Sequence, residues 1–144
     1  MTNTHIFGYS NITGMYLKDF LNKKSNTIKG FYYSRKNESY LNLDLLNPTN
    51  FNPQMKDGGN NIWISLAPIW NFSEFLFLIE KNNNRVFKKI KMIVVCSSSS
   101  IKTKKYAFSK FDNNLVKKLS KSEKNIICLL YTFSEPTRQP IISY

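Results

Sequence analysis

The sequence predicts an α/β fold, a doubly wound parallel sheet of strand order 3-2-1-4-5-6 in one three-layer domain. Three observations predict it. Stretches with a strand pattern alternate with stretches of helical periodicity, as in parallel strands joined by crossover helices. The chain opens with a short strand that passes through glycines into an amphipathic helix, and a later apolar run at 90–96 ends in four serines. Because such crossovers are right-handed, helices are expected on both faces of the sheet.

The first strand and helix are predicted in the segment HIFGYSNITGMYLKDFLNKK. A strand at 5–7 leads into a turn that contains Gly8, Asn11 and Gly14. Glycines permit a tight turn and close packing of the helix, and the free amides of the helix N-terminus suit a phosphate. Apolar residues at helical spacing predict the buried stripe of this helix, which comprises Ile12, Met15, Tyr16, Phe20 and Leu21.

Five further strands are predicted along the chain. They are IKGFYYSRK, YLNLDLLNP ending at Asp44, NIWISLAPIW, KKIKMIVVCSSSS and NIICLLYTF. Between the fourth and fifth, NFSEFLFLIEKNNN predicts a helix capped by Asn71 or Ser73, with a buried face formed by Phe72, Phe75, Leu76 and Ile79. Trp70, at the entrance of that helix, is either a wall of a ligand pocket or a buried anchor. Residues 47–61 are predicted to form a loop.

Tyr106 and Lys110 stand four residues apart in KKYAFSKFDNNLVKKL. On a helix this spacing puts both side chains on one face, where the lysine ammonium would favour the ionised phenol. A phenol of this kind can exchange a proton with a carbinol or a carbonyl. The plainer alternative is an aromatic packing residue beside an exposed lysine.

These segments together resemble the nucleotide-binding part of the extended short-chain dehydrogenase/reductase family, which includes the epimerases and dehydratases of nucleoside-diphosphate sugars. ISLAPIW and VVCSSSS are most similar to an atypical branch of that family. The resemblance reaches to about residue 130. It implies a Rossmann-like, NAD(P)-binding domain over residues 1–133, followed by an irregular tail over 134–144.

The resemblance also implies roles for individual residues. In the catalytic set, Ser99 holds the substrate oxygen, Tyr106 is the acid/base, and Lys110 favours its phenolate and binds the ribose. The cofactor-binding residues that it implies are Gly8, Asn11, Ile12, Gly14, Asp44, Leu45 and Ala67. The glycines and Asn11 would line the pyrophosphate, Asp44 would lie near the adenine, and Ala67 would lie against the cofactor. Asp44 as a turn residue and the serines as a solvated loop are the plainer alternatives.

The sequence departs from the family in three places. The second predicted strand ends in YYSRK, without a carboxylate for the ribose 2′-hydroxyl of NAD. Arg35 and Lys36 would instead suit a 2′-phosphate, so NADP is the preferred cofactor and NAD the alternative. Ser99 and Tyr106 are closer in sequence than in the family, and the family's substrate lobe has no counterpart.

These departures leave two functions open. One is an NADP-preferring oxidoreductase or an epimerase-like enzyme acting on a sugar nucleotide. The other is a non-catalytic dinucleotide-binding or interaction module. A partner chain is a candidate source of the missing lobe. A third, weaker reading is a basic nucleic-acid-binding protein with the same core.

The composition of the chain bears on which other classes of protein remain possible. Lys and Arg number 21 against 9 Asp and Glu, a net charge of +12, yet the lysines are dispersed among asparagines, which argues against a nucleic-acid partner. An apolar fraction of 42% indicates a folded globule. Neither a signal sequence nor a membrane-length apolar run is evident, so a cytoplasmic protein without a membrane partner is expected. Cys96 and Cys128 are predicted to be reduced core residues, and His5 lacks a second ligand for a metal.

Overall fold

A computed structural model describes residues 2–8, 12–23, 27–32, 41–49, 51–53, 55, 60–97, 110–133 and 140–143. The strands within these ranges are β1 (Thr2–Phe7), β2 (Thr27–Tyr32), β3 (Leu41–Asn42), β4 (Asn60–Ser65), β5 (Ile90–Cys96) and β6 (Pro140–Ser143). They form one sheet of order β3-β2-β1-β4-β5-β6, and every neighbouring pair is parallel. The predicted fold class is confirmed.

Three α-helices lie in the described part of the chain. They are α1 (Ile12–Asn22), α2 (Ile69–Asn83), which continues into a 3₁₀ helix (Asn84–Lys89), and α3 (Lys110–Phe133). From β1 the chain moves to β2 in one direction, and from β4 it moves to β5 and β6 in the other. Right-handed crossovers therefore put α1 on one face of the sheet and α2 and α3 on the opposite face.

Aromatic side chains from the sheet and from α2 form the centre of the core. The ring of Phe7 lies 5.1 Å from that of Trp63, 5.3 Å from Phe72 and 5.1 Å from Phe75, measured between centroids. The four residues of the predicted α2 face are at most 4% exposed, so that prediction is confirmed. Burying each such side chain stabilises the fold by about 1.5–3 kcal/mol.

The start of α2 differs from the prediction. The helix begins at Ile69, and the carbonyl of Pro68 accepts hydrogen bonds from the amides of Asn71 (3.0 Å) and Phe72 (3.1 Å). Neither Asn71 nor Ser73 is the cap, because both lie inside the helix. Trp70 is half-buried against the core, and Lys118 Nζ lies 4.3 Å from the centroid of its ring, a cation–π contact that joins α2 to α3.

The sixth strand is not the predicted one. Residues 125–133, NIICLLYTF, continue α3 as its last turns. A short apolar run is ambiguous by itself, but the helical spacing of the buried Leu119, Ser122 and Ile126 extends to the partly buried Leu129. The sixth strand is Pro140–Ser143, in the segment predicted to be an irregular tail, and it pairs in parallel with β5.

The predicted buried stripe of α1 is also wrong. Gly14 is buried and Leu17 and Leu21 are half-buried, so this side of the helix faces the sheet. A glycine lets the helix backbone approach its neighbours closely, which fixes the rotation of the helix. Four large apolar residues consequently point outward, with exposed fractions of 72%, 52%, 73% and 58% for Ile12, Met15, Tyr16 and Phe20.

Three smaller differences concern strands and cysteines. The third strand has only two residues, so Asp44 lies beyond it and not at its last position. Cys96 ends β5 and is half-buried, whereas Cys128 is exposed on α3 and is not in a strand.

Within the described ranges, no helix has the length and apolar character needed to cross a bilayer.

Candidate functional site

The candidate site lies where the strand order reverses, between β1 and β4. In an open parallel sheet, the helices on either side of this point leave a crevice at the carboxyl ends of the strands. The two segments that leave these strands lie side by side, because the amide of Leu66 donates a hydrogen bond of 2.8 Å to the carbonyl of Phe7. Gly8 and Ala67 are the residues that follow.

Gly8 is in contact with the exit of β4. Its φ of +75° is a left-handed conformation that residues with a Cβ rarely adopt. A Cβ added at this position would lie 2.7 Å from the nitrogen of Ala67 and 3.0 Å from the carbonyl carbon of Leu66. Both are backbone atoms, so only glycine fits. The structure thus brings together Gly8 and Ala67, two of the predicted cofactor residues.

Helix α1 starts shortly after this contact, at Ile12. The amides of the first turn of a helix have no partner within the helix, and they give its N-terminus a partial positive charge. Because α1 follows β1, this end of the helix faces the carboxyl edge of the sheet. Gly14 is buried in the first turn, and the Ile12 side chain is largely exposed. No acidic residue in this turn opposes an anion.

The turn after β3 reaches the same edge of the sheet. Asp44 Oδ1 accepts a hydrogen bond from the amide of Leu46 (2.9 Å), and the carbonyl of Asp44 accepts one from the amide of Asn47 (3.2 Å). This is an Asx turn, in which the carboxylate stabilises its own loop. The Leu45 side chain is 5% exposed and belongs to the core. The Asp44 carboxylate therefore stabilises its own turn, and its position near the adenine stays a prediction.

Two serines that the sequence analysis did not select lie at the exits of β4 and β5. Ser65 is the last residue of β4 and is fully buried, and Ser97 directly follows β5. Both Oγ atoms are buried, and neither has a hydrogen-bond partner in the described part of the chain. A buried hydroxyl without a partner costs free energy, which a polar ligand group can offset. The signal in the sequence was a polar residue at the end of each apolar strand.

The predicted catalytic residues lie only partly within the described chain. Ser99 and Tyr106 lie outside it, as do Asn11 and Arg35 of the predicted cofactor site. Lys110 is the first residue of α3. Because β5 and β6 are parallel, the connection between them has to return along the strands, so α3 begins at the edge of the sheet where β5 ends. That edge carries the carboxyl ends of the strands.

Cys96 lies at the end of β5, at this edge of the sheet, and the reactivity of its thiol can be measured. Burial raises the pKa of its thiol above the ordinary value, because desolvation disfavours the thiolate. Burial thus lowers both the thiolate fraction of Cys96 and the access of a reagent to it, and only the thiolate is alkylated. We expect iodoacetamide to modify Cys96 more slowly than Cys128, as followed by peptide mass spectrometry. The Cys128→Ser variant gives the Cys96 rate alone, and equal rates at the two sites would contradict the observed burial.

The strand order, the Gly8–Ala67 contact and the position of α1 define a Rossmann-like doubly wound domain. Neither a protein-family model nor a curated protein matches the sequence. Among solved structures, the chain is similar to the 3-alpha-hydroxysteroid dehydrogenase from Pseudomonas sp. B-0831 complexed with NADH, with a TM-score of 0.56 and 10% identity over 98% of this chain and 77% of that one. The likeness shows that this chain has the fold of a dehydrogenase that binds NADH.

Proposed function

We propose that this protein binds a nicotinamide dinucleotide at the carboxyl edge of β1 and β4, and that it prefers NADP to NAD. The observation that carries the proposal is the Gly8–Ala67 contact. The left-handed Gly8 leaves no side chain between the exit of β1 and the exit of β4. A pyrophosphate can therefore approach the backbone directly in front of the amides that begin α1. The NADH-bound structure with the same fold supports this ligand class.

The preference for NADP rests on residues beyond the end of β2. Arg35 and Lys36 come soon after β2 in the sequence, and in this fold the ribose 2′ position of a dinucleotide lies near the end of the second strand. A guanidinium forms strong, charge-assisted hydrogen bonds with a phosphate. Two neighbouring cations thus suit a 2′-phosphate better than a 2′-hydroxyl.

The catalytic proposal is an oxidoreductase or epimerase-like reaction of the extended short-chain dehydrogenase/reductase kind, with a sugar nucleotide as the substrate class. A bound nicotinamide would supply a hydride acceptor or donor. Ser99 would hold the substrate oxygen, Tyr106 would exchange a proton with it, and Lys110 would favour the phenolate. Two features of the structure support this arrangement, namely the exit of β5 just before the serine run and the start of α3 at the same edge.

A non-catalytic dinucleotide-binding module is the second candidate. The outward-facing apolar stripe of α1 favours it, because contiguous exposed apolar side chains mark interaction surfaces. A protein that binds the module would cover such a stripe. A turnover assay distinguishes the enzyme from the module, because the module would bind the nucleotide without converting a substrate. A cytoplasmic location, as expected from the sequence, is proposed for both candidates.

The cofactor proposal is tested by calorimetric titration with NADPH and NADH. A charge-assisted contact of Arg35 with the 2′-phosphate is worth about 1.5–3 kcal/mol, so NADPH should bind at least about tenfold more tightly. Arg35→Ala should remove that difference and leave NADH affinity nearly unchanged. Arg85→Ala, at an exposed arginine of the 3₁₀ helix, is the matched control and should behave as the parent. Equal affinity for both nucleotides would overturn the NADP preference, and binding of neither would overturn the dinucleotide site.

A further inference from the structure

A groove runs between α2 and α3 on the outer side of their layer, away from the sheet. Its volume is about 440 Å³, and the residues that line it are Ser73, Glu74, Phe77, Glu80, Asn125, Cys128 and Leu129. The opposite side of α2 is committed to the core. The groove is thus a separate surface from the carboxyl edge of the sheet and from the apolar stripe of α1.

The lining combines an apolar centre with negative charge. Phe77 is 54% exposed although it is a large aromatic residue, and Leu129 is partly buried beside it. Glu74 and Glu80 supply two carboxylates, and among the described residues that line the groove none is cationic. Lys121 and Lys124 lie on α3 but do not line the groove. The surface is therefore locally acidic on a protein whose net charge is +12.

The spacing of these groups suits one kind of ligand. Glu74 and Glu80 are six residues apart on α2, about 9 Å along the helix axis, and Phe77 lies midway between them. An amphipathic helix with cations seven positions apart spans about 10.5 Å and places an apolar residue between them on the same face. Such a helix would bring two cations to two carboxylates and one apolar side chain to Phe77.

We propose that the α2–α3 groove binds a cationic amphipathic helix of a partner protein. Apolar anchors in a groove between helices are a recurring mode of peptide recognition, and opposite charges speed the encounter and fix the register. The inference is independent of dinucleotide binding.

The test uses two fluorescein-labelled helical peptides and fluorescence anisotropy. One peptide carries lysines seven positions apart with a leucine midway, and the other carries glutamates in place of the lysines. The basic peptide should bind and the acidic one should not, and added salt should weaken the binding since exposed charges are screened. Bound basic peptide should slow the alkylation of the exposed Cys128 and leave Cys96 unaffected.

Variants assign the binding to the groove. The double variant Glu74→Gln/Glu80→Gln and the variant Phe77→Ser should each weaken binding of the basic peptide by about tenfold, the scale of losing a few exposed contacts. Asp19→Asn, an exposed carboxylate on α1, is the matched control and should bind as the parent does. Glu74 and Phe77 are exposed, and circular dichroism would check that the variants fold.

Three outcomes would overturn the proposal. They are failure of the basic peptide to bind, equal binding to the parent and the double variant, and equal binding of the acidic peptide. Sedimentation equilibrium tests whether a second copy of this chain occupies the groove instead. If the parent dimerises and Phe77→Ser makes it monomeric, a second copy covers the groove and the proposed partner is wrong.

Discussion

Replacing Gly8 by alanine should destabilise the protein and abolish dinucleotide binding. The left-handed conformation alone costs a residue with a Cβ roughly 1–2 kcal/mol. The new methyl group would also lie 2.7 Å from the nitrogen of Ala67, a backbone atom that cannot turn away. A total of at least about 2 kcal/mol would lower the melting temperature by about 4–8 °C for a domain of this size. Separation of the two strand exits would remove the close approach that the pyrophosphate needs.

Two variants control the Gly8 experiment. Asp19→Ala, at an exposed position farther along α1, should melt and bind as the parent does. Ala67→Gly combined with Gly8→Ala should not restore stability, because the contact involves main-chain atoms of residue 67 and not its methyl group. A Gly8→Ala variant with an unchanged melting temperature would show that β1 and β4 do not approach each other as described.

Replacing Tyr106 by phenylalanine should have the largest effect on activity. If the phenol is the proton carrier, loss of its hydroxyl should lower turnover by about 10²–10⁴-fold, the usual contribution of general acid/base catalysis. Nucleotide affinity should remain, since no charge and little volume are lost. Oxidation of NADPH with a set of carbonyl compounds and nucleotide sugars, followed by absorbance, measures the turnover.

Lys110→Met tests the second catalytic residue in the same assay. It should lower both turnover and nucleotide affinity, because the resemblance gives Lys110 a contact with the ribose as well as the phenolate. Lys117→Met, an exposed lysine two turns along α3, is the matched control and should change neither. Parental turnover in the Tyr106→Phe variant would exclude Tyr106 as the acid/base, and absence of turnover in the parent would favour the non-catalytic module.

The sheet could be predicted because its signals are local and repeated. β1 ends in the apolar pair Ile6 and Phe7 just before Gly8, β4 and β5 each contain a short apolar run, and the buried face of α2 follows a 3.6-residue period. The sixth strand could not be placed in this way. NIICLLYTF has the composition of a buried strand, and only its continuity with Leu119 shows that it is helical, whereas PIIS is too short to stand out from the tail.

The orientation of α1 shows a second limit. Its apolar residues cover more than one side of the helix, so periodicity alone does not decide which side is buried. In the structure the side that carries Gly14 is buried, and Tyr16 and Phe20 are left outside. A hydrophobic stripe therefore predicts the buried side of a helix only where no other side of that helix packs against the sheet.

The candidate site could be predicted in part. Gly8 and Ala67 were selected from the sequence, and the structure puts them in contact. Ser65 and Ser97 were missed, because a serine at the end of an apolar strand has no pattern that separates it from a turn residue. The turn role of Asp44 depends on a hydrogen bond to the amide of Leu46, which a sequence pattern suggests but does not establish.

A crystal structure of the protein with NADPH tests the central claim most directly. We predict that the pyrophosphate lies within hydrogen-bond distance of the amides at the start of α1, beside Gly8 and Ala67, with the 2′-phosphate next to Arg35. A nucleotide bound elsewhere, for example in the α2–α3 groove, or crystals grown in excess NADPH with none bound, would contradict the account.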